Sequence, residues 1–407
     1  MTRSRSAGAM LAAGPGQVVT TPDRAPARDA YDVVVVGAGL MGAAAAALLR
    51  CWAPELRLLL VEADGLPNEG GASVAAPGLL PPTHGGVGDE REASLRWARA
   101  LVEQTLPDAA SARAGWLELV TDPSDAEADH ARPLRALATP PVVDAVIALT
   151  GVDAEHPAVA RQGGWVPADA LALRLARRAV REGADLLLNA RVRPLGPSRL
   201  LLERLALDRR MELGVRARHT IEAGAVVVAC GAAGGEVAEA GLDRPVGLPA
   251  AFRQYPRVRL ETPPEPAALP VVALAGWRFR SAPGGALLVP PALPSDPVGY
   301  VPTGGRLLGV PVGLRRELLE SLLEEPALAS LLASGRLELG KSVRSVRGAH
   351  VSAPIDGRPV ARSLGQGWWL LAGSGAGLLR DLAAAAGVAA SLARGAGGAD
   401  PPWPPQG

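Results

Sequence analysis

Lysine is nearly absent from this chain. Of the 42 lysine and arginine residues among 407, only Lys341 is a lysine, so any lysine-dependent chemistry rests on that side chain. Cysteine is as scarce. Cys51 and Cys230 lie in apolar contexts and provide neither a disulfide framework nor a thiolate metal cage. The five histidines are scattered without ligand spacing, and three tyrosines and two phenylalanines leave little material for an aromatic cage. Charge of one sign is also missing: the net charge is +1 with 20% charged residues, which excludes the basic stripe that nucleic acid demands. Val33 to Leu49 carries no charge over 17 residues, short of the roughly 20 needed to cross a bilayer, and glycines interrupt it. No membrane span is expected.

What is present begins at Tyr31. The run Val33-Val34-Val35-Val36 reads as a buried strand and flows into Gly37-Ala38-Gly39-Leu40-Met41-Gly42, followed by an alanine-rich helix. A second strand, Leu56 to Val61, is closed by Glu62 and Ala63. Each glycine has a mechanical task. Gly37 lets the strand turn, Gly39 admits a pyrophosphate close to the backbone, and Gly42 lets the helix pack on the sheet. The helix start, at Leu40 and Met41, offers free N–H groups and the positive end of its dipole to phosphates. Glu62, twenty residues past Gly42, is placed to accept hydrogen bonds from a ribose. Strand, turn, helix, strand and acid together predict an adenine dinucleotide site.

Further along, Pro167 to Glu182 reads as an amphipathic helix, followed by strand material at Ala184–Leu188 and Ala190–Val192. Short strands are expected over 198–222, and a separate buried strand at Ala225–Ala229 ends in Cys230-Gly231. From about 245 to 345 the pattern changes to proline-punctuated strands (Phe252–Leu260, Val271–Phe279, Gly285–Val289) with one helix near Arg315–Leu332. Trp368–Leu371 then leads through Gly373-Ser374-Gly375-Ala376-Gly377 into a last helix reaching about Arg394. Residues 1–30 read as a disordered N-terminal extension and 395–407 as a disordered tail. The expected fold is α/β: a discontinuous Rossmann-type nucleotide domain with a glutathione-reductase-like sheet (31–80, 160–244, 345–394). An α+β substrate domain with an antiparallel sheet (81–159, 245–344) is inserted in it.

With these pieces assembled, the chain resembles the flavoprotein amine and amino-acid oxidases, the family that includes D-amino-acid oxidase, glycine oxidase and monomeric sarcosine oxidase. Five ordered segments carry the resemblance. They are the fingerprint at 33–62, Gly70-Gly71-Ala72-Ser73-Val74-Ala75-Ala76-Pro77-Gly78, Gly163-Gly164-Trp165-Val166-Pro167, Thr220–Ala223 leading into Val226–Gly231, and Pro354–Pro359 before the terminal glycine segment. The resemblance implies FAD, held by the fingerprint residues, Ser73, Val192, Cys230, Gly231 and the segment Gly373–Gly377. A helix start at that last segment would favour the negative charge that reduction leaves on a flavin. It further implies a small amine or amino-acid substrate oxidised by hydride transfer from the carbon bearing nitrogen. Oxygen or another acceptor would take the electrons, association with a partner subunit is one option, and the expected location is cytoplasmic.

A substrate carboxylate calls for the planar fork of arginine. Arg347, in Ser345-Val346-Arg347-Gly348, resembles the family's arginine-bearing strand, and Arg380 is a second candidate. Tyr255 and Tyr300 read as core or rim residues, His84 and His350 as surface or loop histidines, and a cage for a substituted ammonium would draw on tryptophans such as Trp277. The glycine segment lacks the histidines common in the family, neither cysteine is placed to tether flavin, and Lys341 is not where an oxygen-activating lysine is expected. Two alternatives follow: a flavin monooxygenase-like enzyme, or a catalytically degenerate FAD-binding subunit.

Overall fold

A computed structural model describes residues 15–82, 90–121, 130–210, 212–265, 269–291, 316–338, 346–354, 356–373 and 377–397. Two nine-stranded sheets organise them. In the first, the strands Val18–Val19, Asp185–Leu187, Leu58–Val61, Ala30–Val36, the end of Leu213–Val228, and Trp368–Ala372 run parallel. Their C-terminal ends align. Val36 lies level with Val61 and Val228, Val61 with Leu187, and Val228 with Leu370. Such an edge is where open α/β sheets leave a crevice for ligands.

Helices cover one face of this sheet. Leu40–Trp52 packs among Ala168–Arg181, Leu378–Gly395 and Glu90–Thr105 in one apolar core. Ala43 to Ala47 are at most 1% exposed, and their short side chains are what lets the helices close on Leu40–Trp52. The opposite face is covered by Gly234–Leu242 and by the meander of Ala190–Pro194, Arg199–Leu207 and the start of Leu213–Val228.

The second sheet is largely antiparallel, ordered Leu337–Glu338, Ala250–Arg259, Gly285–Val289, Trp277–Ala282, Val271–Leu274, Trp116–Leu119, Pro157–Arg161, Arg132–Pro133. Val346–Ser352 joins it along Ala250–Arg259. Helices Pro140–Thr150, Arg316–Glu324 and Pro326–Ala333 cover its back, burying Val146, Leu149, Leu322 and Leu328 against Trp277 and Phe279. Its front turns toward the first domain. Within the described residues no helix is long and apolar enough to cross a membrane.

Several sequence expectations are corrected. Residues 15–30 are not a disordered extension, because Val18–Val19 adds a strand beside Asp185–Leu187. Asp185, 6% exposed, holds this segment. It accepts from the Gln17 N–H at 2.9 Å and the Tyr31 hydroxyl at 3.1 Å, with Arg28 Nε at 3.6 Å. Burial, then the Asp185 charge, pushes the Tyr31 pKa well above the phenolic range. The expected short strands over 198–222 and the separate strand at 225–229 are corrected by one 16-residue strand, Leu213–Val228, preceded by Arg199–Leu207. It runs antiparallel to Arg199–Leu207 early on and parallel to Ala30–Val36 at its end. Val271–Phe279 is not one strand but a hairpin, turned at Ala275 (φ 46°) and Gly276 (φ 82°). The helix expected over 315–332 breaks before Pro326, which lacks the N–H that continuation needs. Two domain assignments also move. Val346–Ser352 belongs to the second sheet, and Glu90–Thr105 packs into the first domain's core. His350, expected in a loop or at the surface, lies on a strand with its ring 4.9 Å from that of Phe252. Residues 1–14 and 398–407, with the rest of the two tail expectations, lie outside the described residues.

One contact in this core is unusually close. A Cβ at Gly241 would stand 2.2 Å from Cη2 of Trp368, a fully buried ring whose Nε1 donates to the Pro197 carbonyl at 2.7 Å. Gly241→Ala improves helix propensity by about 1 kcal/mol but overpacks this site. The net loss should be about 1 kcal/mol, an overpacking cost of about 1–3 kcal/mol less that gain, read as a lower urea midpoint; an unchanged midpoint would contradict the packing.

Candidate functional site

The site grows from the end of Ala30–Val36. Gly37 turns the chain at φ 102°, and a Cβ there would lie 2.6 Å from the Ala229 carbonyl oxygen of the neighbouring strand's end. A side chain at Gly37 is thus excluded both by conformation and by space. Gly42 does a different job: its Cβ would meet the Gly37 carbonyl oxygen at 1.9 Å, so it seats the helix on the turn and does not line the cavity. Gly39 is the informative one. Its φ of −63° suits any residue, and a Cβ there would touch only Ser73 Oγ, at 3.1 Å. The fold asks only that the Ser73 side chain give by a few tenths of an ångström for a Cβ at 39, whereas close approach of a ligand demands glycine.

The helix beginning at Leu40 has no capping side chain of its own. Ser73, on the short helix Ala72–Ala75, reaches across and accepts from the Leu40 N–H at 2.9 Å. Glu62 is 6% exposed and accepts from the N–H groups of Ala38 (2.8 Å) and Asp64 (3.3 Å) and from Asn68 Nδ2 (3.1 Å). Burial nevertheless raises its pKa above the ordinary glutamate value, against the pull of those donors. Cys230 sits at the end of Leu213–Val228, where burial and the charges of Glu62 and Glu236 push its thiol up to about 12. It is therefore a neutral wall residue at physiological pH.

On the far side, Gly373 ends the Trp368–Ala372 strand. Ser352 donates its hydroxyl to the Gly373 carbonyl at 2.5 Å, tying the second sheet to this turn. A Cβ at Gly373 would lie 2.8 Å from Asp381 Oδ2 and 3.3 Å from Met41 Sδ. Asp381, in the first turn of Leu378–Gly395, thus stands beside this turn. Among the described residues no cluster of His, Cys, Asp and Glu could hold a metal.

These elements surround a cavity of about 2250 Å³. Ordinary small-molecule pockets hold roughly 300–1,000 Å³, so the volume fits a dinucleotide together with a substrate. Gly37 to Met41, Glu62, Ala63, Ser73, Val192, Cys230, Gly231, Gly373, Gly377 and Arg380 all line it, so residues far apart in the sequence meet on one surface. Ser374, Gly375 and Ala376 lie outside the described residues, as do Lys341, His84 and Tyr300. Arg347 stands opposite Tyr255 in the register of Val346–Ser352 with Ala250–Arg259. Arg380 is exposed at the rim.

The second sheet supplies the other wall, much of which sequence reasoning missed. Tyr255 is 4% exposed and lines the cavity with Arg253, Arg278, Val289 and Trp116. The signal was available in Trp277-Arg278-Phe279-Arg280. Its apolar members face the back core, while its arginines face forward with period two. For the same reason Trp277 belongs to the back core and lines no cage. Thr20 and Pro22 also line the cavity, which follows from the ordering of residues 15–30.

Gly39→Val should fold normally, because the φ there is permissive, yet lose bound flavin, because the branched side chain fills the space a pyrophosphate needs. Full flavin content in the purified variant, by visible absorbance, would contradict the site.

Comparison with known proteins agrees with this geometry. The chain resembles L-amino acid deaminase from Proteus vulgaris at 16% identity and a TM-score of 0.61, over 92% of this chain and 96% of that one. It resembles L-proline dehydrogenase from P. horikoshii at 15% identity and 0.59, over 92% and 96%. Glycine oxidase from Geobacillus kaustophilus matches at 19% identity and 0.54, over 90% and 95%. At these identities the likeness is one of fold. No curated protein sequence matches the chain. The family model described as FAD dependent oxidoreductase matches residues 32–391, nearly the whole of the described fold, and the chain belongs to that family.

Proposed function

We propose that the cavity holds FAD and that the protein oxidises the C–N bond of a small amine or amino acid. Gly37 to Met41 and Ser73 would hold the pyrophosphate, Glu62 with Ala63 the ribose, and Val192, Cys230 and Gly231 the adenosine end. The segment from Gly373 to Gly377, with Ser374, Gly375 and Ala376, would receive the flavin ring. Bound FAD supplies a two-electron acceptor; the chain's own residues bind, orient and exclude water. Leu79, Val289, Leu371 and Trp116 provide apolar surface on the route between the glycine turns and the second sheet. Tyr255 presents a phenol within that surface, and Arg347 and Arg380 remain the candidates for gripping a carboxylate. The same reading puts the chain in the cytoplasm, with oxygen or another acceptor receiving the electrons and association with a partner subunit as one option. The carrying observation is the continuity of one cavity from the Gly37 turn to the front of the second sheet.

An amine or amino acid should bleach the flavin anaerobically without nicotinamide. Bleaching by NAD(P)H alone would favour the monooxygenase-like reading. Failure of every amine and amino acid, with FAD bound, would favour the catalytically degenerate subunit.

FAD affinity should depend on pH through Glu62. Ribose hydroxyls donate to the ionised carboxylate, so its pKa in the complex lies below that in the free protein. Affinity is then complete above the free-protein pKa and falls as pH drops through it. Because burial raises that free value, the loss should begin at higher pH than for an ordinary glutamate. Dissociation constants measured across the acid range test this. Glu62→Gln should bind FAD more weakly and flatten the curve; an unaltered slope would contradict the role.

A further inference from the structure

The hairpin of Arg199–Leu207 with Leu213–Val228 carries apolar side chains where an exposed turn calls for polar ones. Leu205 pairs with Val215, and Leu207 with Leu213. Residues two apart on a strand share a face, as do residues paired across it, so the four form one apolar strip. All four line the cavity. The strip is rooted at Leu205, 8% exposed, and runs outward to Leu207, 50% exposed, and Leu213, 39% exposed.

The strip is held in place at both ends. Between Arg204 and Leu205 the register shifts, which leaves Arg216 as an extra residue and bends the hairpin. At the tip, Asp208 Oδ1 accepts from the N–H groups of Arg210 (2.8 Å) and Glu212 (2.9 Å). At the root, the Leu205 N–H donates to the Asn189 carbonyl at 2.7 Å. Arg204, fully buried, donates from Nη2 to the Thr21 carbonyl at 2.9 Å. Thr20, Pro22 and Asn189 line the cavity too, so the hairpin and the N-terminal segment form one collar.

The chemistry of the strip selects what it can bind. Four aliphatic side chains offer no hydrogen bond, so they suit the face of an apolar or aromatic group and not a phosphate or a ribose. Ala190–Pro194 runs beside Arg199–Leu207, which sets the strip on the Val192 side of the cavity. Arg191, on that strand, also lines the cavity, with Nη2 held 2.7 Å from Glu203 Oε2. A guanidinium held in this way can still stack on a flat ring. We propose that Leu207 and Leu213 clamp the adenine base of FAD, with Leu205 and Val215 behind them. This rests on the FAD reading above and extends it to a hairpin outside the glycine fingerprint.

The full chain, freed of FAD, is titrated with FAD, ADP and FMN. A variant carrying both Leu207→Ser and Leu213→Ser should bind FAD and ADP about ten-fold more weakly or worse. FMN, which lacks the base, should bind it as it binds the unaltered chain. The urea midpoint without FAD should not fall, because both side chains are already exposed. Replacing both leucines with methionine, which conserves volume, should keep FAD affinity within about three-fold. In hydrogen–deuterium exchange of the unaltered chain, ADP should protect 205–207 and 213–215. Unchanged FAD and ADP affinity in the serine variant, an equal loss for FMN, or exchange that ADP does not slow overturns the proposal and leaves the FAD reading in place. Self-association that the serine variant abolishes also overturns it, since a second copy of the chain then covers the strip. An unaltered chain that binds neither FAD nor ADP overturns the underlying reading instead. If the serine variant does not fold, the exchange measurement decides alone.

Discussion

The structure depends on the close approach of two backbones at the C-terminal edge of the parallel sheet. Val36, Val61 and Val228 end level with one another, so the chain leaving Val36 must turn against the carbonyl of Ala229. Only a residue without Cβ, at positive φ, completes that turn. Once it is made, the N-terminus of Leu40–Trp52 points out over the strand ends, with Glu62 on one side and Cys230 on the other. The cavity follows from this constraint, and the rest of the chain closes it.

Closing it takes material from distant parts of the sequence. Asp185 anchors the N-terminal segment so that Thr20 and Pro22 reach the nucleotide end. Ser352 bonds to the Gly373 carbonyl and ties the second sheet to the end of Trp368–Ala372, so that one wall comes from each domain. The polar groups inside are not arranged alike. At the nucleotide end, backbone N–H groups, Ser73 and Glu62 dominate. On the sheet front, guanidiniums and a phenol dominate. The first set suits phosphates and ribose, the second acid groups of a small molecule.

The Gly37 side of the cavity was legible because the elements that build it are local in sequence. Glycine at 37, 39 and 42 and the acid at 62 follow from strand, turn and helix geometry within about thirty residues. The Cys230–Gly231 and Gly373 turns were legible for the same reason, since each ends an apolar run. The wall from the second sheet was not, because it is assembled by register between strands far apart in the chain, Trp116–Leu119 with Val271–Leu274 and Ala250–Arg259 with Val346–Ser352. Nothing in the chain order brings Trp116 beside Val271, and the alternation in Trp277–Arg280, which separates back from front, went unread. Proline and glycine cues misled where they bear on single bonds: Ala275-Gly276 hid a hairpin inside one apolar stretch, and Pro326 divided a helix. Residues 15–30 looked unpatterned because their order comes from Asp185, a partner more than 150 residues away.

The central claim is that a flavin dinucleotide occupies the hollow beyond the Gly37 turn. Hydrogen–deuterium exchange of the full chain, compared with and without saturating FAD, addresses it most directly. The account predicts one FAD per chain, with protection at 37–42, 62–64, 190–193 and 230–231. FAD that binds without protecting these stretches, or that does not bind, would contradict it.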